Sequence, residues 1–432
     1  MIPEIEKAPI TKIKAFQEDK LKGLLAYLNA NSEYYKRVFK QNNISINSIN
    51  SLEDLTTIPT TSKEDLQKYN DDFLCVPKHK IIDYVTTSGT LGEPVTFALT
   101  DNDLERLAYN EAISFACAGV QQDDILQLMT TIDRCFMAGL AYFLGIRKLG
   151  AGIIRVGNGI PELQWASILK FKPTYLIAVP SFLLKLIEHA KQHEIDINAS
   201  GIKGAICIGE PLREQDFSHN ALAEKIKKSW NIELFSTYAS TEMSTAFTEC
   251  EHQQGGHHHP ELIIVEILND KNNSVNVGDV GELTITTLGI EAMPLLRFKT
   301  GDMVKAHYSQ CGCGRNTMRL GPVVGRKKQM IKYKGTTLYP QAMNNILNNF
   351  GEVESYIIEI SHNTIGTDEI LIKITTQTPT EALLQSIKDH FRAKLRVVPK
   401  IKFHDKKIIQ QLQFPKLSRK PIMVFDKRRF LI

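Results

Sequence analysis

Residues 175–211 read YLIAVPSFLLKLIEHAKQHEIDINASGIKGAICIGEP. Two short apolar runs, Tyr175-Leu176-Ile177-Ala178-Val179 and Gly204-Ala205-Ile206-Cys207-Ile208, flank a helix-like stretch from Ser181 to His193. Runs this short, with no polar residue on alternate positions, predict strands buried on both faces. The order strand, helix, strand then predicts a parallel, helix-covered sheet. Ile81-Ile82-Asp83-Tyr84-Val85 and Ile125-Leu126-Gln127-Leu128-Met129 extend the alternation. The expected fold class is α/β, with helix-covered, mainly parallel sheets in a large N-terminal domain.

Outward from this stretch the texture changes twice. Upstream, Leu21, Leu24, Leu25, Leu28, Tyr35 and Val38 recur at helical spacing between Phe16 and Asn42, so residues 1–75 are expected to be a helical segment. Downstream, about 245–320 is expected to be a β-rich, barrel-like region, because the apolar runs 262–268 and 282–286 flank a turn around Asn272-Asn273 and Gly278. Beyond Gly325-Arg326-Lys327-Lys328-Gln329 come a strand pair (355–360 and 369–375), an amphipathic helix (381–395) and a lysine-rich tail. The expected division is 1–326 and 327–432, the second part a small, mobile α+β domain.

The 432 residues exceed one compact core, and 43% hydrophobic with 23% charged content fits a globular chain. With 52 Lys+Arg against 48 Asp+Glu, a charge of +4 gives no general case for nucleic acid as a partner. The longest apolar span, Phe136 to Ile146, has 11 residues, short of the roughly 20 that cross a membrane. No basic-then-apolar signal opens the sequence, and seven cysteines, an odd number, do not suggest a disulfide framework. The expectation is a cytoplasmic protein with no membrane partner.

Thr86-Thr87-Ser88-Gly89-Thr90-Leu91-Gly92-Glu93-Pro94 follows an expected strand and is rich in hydroxyls and glycine. Several N–H groups and hydroxyls here can point at one anion, although the Walker A order is absent. A phosphate loop and a tight surface turn are both open on these residues alone. Four later segments bear on the choice: Ser236-Thr237-Tyr238-Ala239-Ser240-Thr241-Glu242, Arg297-Phe298-Lys299-Thr300-Gly301-Asp302, Gly325-Arg326 with the turn at Gly335, and Arg419-Lys420-Pro421 up to Asp426. In order and spacing they resemble the motifs of adenylate-forming enzymes. With Ile208-Gly209-Glu210-Pro211 and the segments Glu249-Cys250 to His257 and Cys311-Gly312-Cys313, the chain most resembles the phenylacetate-CoA ligase family, from about residue 10 to its end.

The resemblance implies an ATP-dependent acid-thiol ligase. It joins an aryl or arylalkanoic carboxylate to AMP, expels pyrophosphate, and passes the acyl group to coenzyme A. It implies that Thr87, Ser88, Gly89 and Thr90 hold the outer phosphates, Thr241 the α-phosphate, and Glu242 a Mg²⁺ ion. Tyr238 would stack on adenine beside the backbone of Gly209, Glu210 and Pro211, with Ala239 and Ser240 completing the motif. Asp302 would accept the ribose hydroxyls, supported by Arg326; without the resemblance, Asp302 reads as a turn residue and Arg326 as a solvated charge. Lys420 would pair with the carboxylate and the α-phosphate, and Gly335 would lie on the coenzyme A path.

Cys311-x-Cys313 offers two thiolates on a tight turn, Cys250 a third and His257 a candidate fourth ligand for structural Zn²⁺, with His252, His258 and His259 as able substitutes. Reduced free thiols in a loop are the other reading. Phe136, Met137 and Gly139 fall where related ligases wall the acyl pocket, and plain core is the alternative there. Two departures from the family pattern stand out: Glu93 in place of a phosphate-loop lysine, and Lys327-Lys328-Gln329 in place of a hinge Asp pair. Both put efficient ATP use in question. Nucleotide binding with reduced turnover is therefore one alternative; adenylation followed by transfer to an acyl carrier protein, or transfer of AMP to another acceptor, is the other. A homodimer is also compatible with the sequence.

Overall fold

The computed structural model describes residues 2–87, 94–334, 336–363, 367–413 and 422–430. The chain divides into two compact units, 1–300 with 304–322, and 301–303 with 323–432.

At the centre of the first unit is a nine-stranded sheet. Five neighbouring strands are parallel: Gly152–Arg155, Ile125–Leu128, Tyr175–Ala178, Gly204–Ile208 and Glu233–Ser240. The other four, Thr245–Thr248, Gly256–His257, Arg319–Leu320 and Ala306–His307, continue it antiparallel from Glu233–Ser240. The period of two along each strand is visible in the packing. Leu176, Ala178, Ala205, Cys207 and Leu234 face a core with Trp165, Leu183, Leu186, Ile226 and Trp230. Tyr175, Ile177, Ile206, Ile208 and Phe235 face the opposite core with Ala112, Phe115, Tyr142 and Ile146. Both faces are covered, so no polar alternation appears in the sequence. Each such Leu or Ile contributes about 1.5–3 kcal/mol by leaving water.

Helix boundaries follow local chemistry. Thr100 and Asp103 form a reciprocal capping box at the start of Asp101–Cys117. Gly150, at φ 87°, ends Met137–Leu149 in the left-handed region that glycine adopts without strain. The N-terminal helical expectation resolves into Ile10–Asn31 and Glu33–Gln41, separated at Ser32, whose side chain caps the second. The expected hairpin is present as Ile263–Leu268 antiparallel to Gly281–Thr287.

One strand departs from expectation. Ile81–Thr86 does not join the parallel sheet; it pairs antiparallel with Thr96–Thr100 in a separate two-stranded sheet. Ile82 and Tyr84 are exposed there while Val85 is buried, so the run 81–85 is buried on one side only.

In the second unit, Lys400–Phe403, Asp368–Thr375, Ser355–His362 and Val424–Asp426 form a four-stranded sheet in that order. Ile358, Ile360, Ile370, Ile372 and Ile374 pack with Met343, Leu347, Ile387 and Phe391 from the helices Pro340–Asn348 and Glu381–Leu395. Gly325 pairs with Met303 and runs against the Tyr339 ring, where a Cβ would stand 2.4 Å from ring carbons. Only glycine fits that approach. Strand Gly325–Arg326 therefore belongs with the second unit, to which 301–303 and 323–432 contribute. No helix among the described residues is long and apolar enough to cross a membrane.

Candidate active site and metal centre

The carboxyl ends of parallel strands are where ligands of such sheets bind, and two motifs lie there. Ile208 is paired with Thr237, so Gly209-Glu210-Pro211 leave their strand beside Tyr238, which lies near the carboxyl end of the strand Glu233–Ser240. Gly209, at φ 76°, makes a turn with open space around its Cα. The Glu210 carboxylate accepts from the Ser181 N–H at 2.8 Å and from its hydroxyl at 2.9 Å, so it caps the helix Pro180–Gln192. Pro211 O accepts from Asn220 Nδ2 at 2.8 Å. The bend after Pro211 is locked by Arg213, whose buried guanidinium meets the buried Glu249 carboxylate at 3.1 and 3.0 Å, while Glu249 also accepts from Ser236 N at 2.8 Å.

The motif ends in a tight turn. Ser240 Oγ accepts from Met243 N at 3.3 Å, and Ser244 sits at φ 46°, an uncommon conformation for a residue with a Cβ. Arg106 holds it there: Nη1 donates to Ser244 O at 2.7 Å, Nη2 to Thr245 Oγ1 at 3.1 Å and Leu262 O at 2.6 Å, and Nε to Leu288 O at 2.6 Å. Burial lowers the Arg106 pKa to about 10, so it remains cationic at neutral pH. Neither Arg106 nor Arg213 was anticipated from sequence, since a lone arginine on an expected helix or loop carries no local sign of burial. Thr241 and Glu242 lie on this turn, and Lys63 Nζ stands 3.2 Å from Glu242 Oε1.

Residues expected to wall the acyl pocket meet the same turn. Ser244 Oγ lies 4.0 Å from Met137 Sδ, and Met137 is buried. Phe136, immediately before the helix Met137–Leu149, is 36% exposed. Gly139 has a packing reason of its own: a Cβ would fall 1.9 Å from Thr131 O. Thr86 N donates to Cys135 O at 2.9 Å, which ties the neck of the 86–94 segment to this loop. Thr87 is buried and bonded to Val95 through backbone and hydroxyl. Ser88, Gly89, Thr90 and Glu93 lie outside the described residues, as do Gly335 and Lys420.

In the second unit, Asp302 and Arg326 face each other across a two-residue antiparallel pairing, with Arg326 Nε 3.3 Å from Asp302 Oδ1. Asp302 is largely buried, and about half of the Arg326 side chain is exposed. Arg297, at the head of the same motif, lies in the first unit, fully buried and paired with Glu266 Oε1 at 2.8 Å.

Cys250, His257, Cys311 and Cys313 converge, all four donor atoms lying within 4.8 Å of one another. Cys250 Sγ is 3.6 Å from Cys311 Sγ, and Cys313 Sγ is 3.5 Å from His257 Nε2. Bonds of about 2.3 Å to sulfur and 2.0–2.1 Å to nitrogen around a tetrahedral zinc put donors about 3.5–3.8 Å apart, so the four groups fit that ion. His257 Nδ1 lies 3.3 Å from Thr317 Oγ1, leaving Nε2 toward the thiols. The neighbouring histidines are engaged elsewhere: His258 Nε2 meets Ile263 O at 2.6 Å, and His259 meets Glu6 and Ser114. The Cys313 thiol is held far below its usual range, first by the hydrogen bond with Cys250, against burial, and further by His257 and Arg315. The reciprocal bond and burial push Cys250 up.

A family profile described as "AMP-binding enzyme" matches residues 34–291, and the chain belongs to that adenylate-forming family. Within it, the chain is 30% identical over 382 residues to the phenylacetate-coenzyme A ligase of Thermus thermophilus, covering 87% of this chain and 84% of the relative. It is 26% identical over 442 residues to the phenylacetate-coenzyme A ligase of Escherichia coli, covering 99% and 98%. Its fold matches that of a 2-hydroxyisobutyryl-CoA ligase solved in the postadenylation state with 2-HIB-AMP, at a TM-score of 0.84 and 21% identity, covering 99% of this chain and 92% of that one.

Proposed function

We propose that this enzyme, an AMP-forming acid-thiol ligase, acts on an aryl or arylalkanoic carboxylate of the phenylacetate kind. A carboxylate oxygen attacks the α-phosphorus of ATP, forming acyl-AMP and releasing pyrophosphate. The coenzyme A thiolate then attacks the acyl carbon and expels AMP. The first step concentrates negative charge at the α-phosphate, which requires donors fixed in advance. Thr241 supplies a hydroxyl from a turn held rigid by Arg106, and Glu242 is the candidate ligand for Mg²⁺, which neutralises phosphate oxygens when bound. Tyr238 and the backbone of 209–211 take the adenine, Asp302 and Arg326 the ribose, and Lys420 the carboxylate and α-phosphate. Ser88, Gly89 and Thr90 take the outer phosphates with Thr87, while Phe136 and Met137 contact the acid.

The observation that carries this reading is the convergence of the 240–244 turn with Met137 and with the carboxyl ends of two parallel strands. Cys250, His257, Cys311 and Cys313 would hold a structural zinc, which would pin the β-rich region. Cytoplasmic location and a homodimer belong to the same proposal, as does an acyl carrier protein as second acceptor.

Carboxylate-dependent pyrophosphate exchange over a panel of acids tests it. Phenylacetate and close analogues are expected to support exchange, and Lys420→Ala to abolish it while largely sparing thioester formation from supplied acyl-AMP. AMP binding with no exchange for any acid would leave a nucleotide-binding protein instead, the outcome that Glu93 keeps open.

A further inference from the structure

Glu6 lies 309 residues from Arg315 in sequence, yet its fully buried Oε2 accepts from Arg315 Nε at 2.7 Å. Arg315, itself buried, donates through Nη1 to Cys313 Sγ at 3.4 Å. The other Glu6 oxygen meets His259 Nδ1, whose ring reaches Ser114 Oγ at 3.3 Å through Nε2. Backbone bonds reinforce the junction: Asn316 N donates to Glu6 O at 2.8 Å, and Asn316 Nδ2 to Lys7 O at 2.8 Å and Ala8 O at 3.3 Å. Thus residues 6–8 strap the segment that carries Cys313. Burial by itself would push the Glu6 carboxyl up, but His259 and Arg315 outweigh it and hold the group anionic.

We infer that Glu6 is a positioning residue for the metal site. By fixing Arg315 it keeps Cys313 Sγ in ligating geometry, so that metal retention depends on a side chain outside the four ligands. Two physical reasons support this. A buried guanidinium without its carboxylate would be drawn more strongly to the Cys313 sulfur, competing with a metal for its electron pairs. The cysteine turn would also lose a fixed wall, and partners outside the ligand set commonly change metal affinity by about 10–100-fold. The inference rests on the zinc reading above.

The test follows zinc release from the full chain to a colorimetric chelator, with circular dichroism to verify folding. Wild type is expected to hold about one zinc per chain. Glu6→Gln should release it about tenfold faster or more, and Glu6→Asp, which keeps the charge but shortens the reach, should fall between. Tyr27→Phe removes a hydrogen bond from the helix Ile10–Asn31 to Glu291 O and should release at the wild-type rate. In cobalt-substituted protein, Glu6→Gln should shift the visible bands of the tetrahedral thiolate site. Equal release by wild type and Glu6→Gln overturns the inference, as does wild-type release by Glu6→Asp should Glu6→Gln fail to fold. Equal acceleration by Tyr27→Phe overturns it too, since that is general loosening. Metal held with unchanged release removes only the role of Glu6, whereas wild type that binds no zinc removes the metal reading and this inference together.

Discussion

Lys63 Nζ lies 3.2 Å from Glu242 Oε1, joining residues 179 positions apart; the Glu242 side chain is 11% exposed and that of Lys63 36%. The carboxylate proposed for Mg²⁺ is thus already occupied by an ammonium. A pair this exposed is worth about 0.2–1 kcal/mol, small enough for a divalent ion to displace. Lys63→Met is expected to lower the Mg²⁺ concentration for half-maximal pyrophosphate exchange by up to about fivefold, the factor that energy allows. Glu242→Gln should raise it and slow exchange. A Mg²⁺ dependence untouched by Lys63→Met would show that the pair does not compete with the ion.

The Arg213–Glu249 pair is fully buried and holds two segments of the site together. Arg213→Met leaves the Glu249 carboxylate without its cation, and a loss of about 3–5 kcal/mol is expected in urea unfolding. The double variant Arg213→Met, Glu249→Leu should recover much of that. Additive losses would mean that the two side chains do not act as a pair.

Glu111 is buried and bonded to Asn110 Nδ2 at 3.0 Å; burial raises its pKa from 4.5 to about 8. Between those values the folded protein keeps a proton that the unfolded chain has released, so stability should fall as pH rises through that window. Glu111→Gln should flatten the dependence and be the more stable form near pH 8. Melting temperatures of both proteins from pH 5 to 8 provide the check; parallel curves would refute it.

Gly139 and Phe136 separate packing from specificity. Gly139→Ala forces a Cβ into the Thr131 carbonyl, and overpacking of this kind costs about 1–3 kcal/mol. Phe136→Ala, at a partly exposed position, is expected to change the ranking of acids in the exchange panel with little change in melting temperature. An unaltered ranking would make Phe136 a surface residue without contact to the acid.

Much of the fold is legible from neighbouring residues. The strands 175–178 and 204–208, the helix between them and the helix Glu381–Leu395 stand where apolar runs and helical spacing put them, because both signals depend on residues a few positions apart. The run 81–85 misled because a hairpin strand with one exposed side and a buried strand look alike when short. For the site, motif order brought Gly209 and Tyr238 into view, and cysteine spacing the thiols of 311 and 313. Four histidines between 252 and 259 were equally able ligands by composition. Only the fold turns His257 toward the sulfurs: His258 and His259 find other partners, and the half-exposed His252 lies 3.7 Å from Glu251.

By itself, then, the sequence determined the strand and helix alternation, the family and the residue types that chemistry requires. Which charges meet in the interior was decided by tertiary structure: Arg213 with Glu249, and Glu6 with Arg315. Periodicity is a local property of the chain. A buried ion pair is chosen by the desolvation cost of leaving either charge alone, and that cost exists only once the fold has excluded water around both.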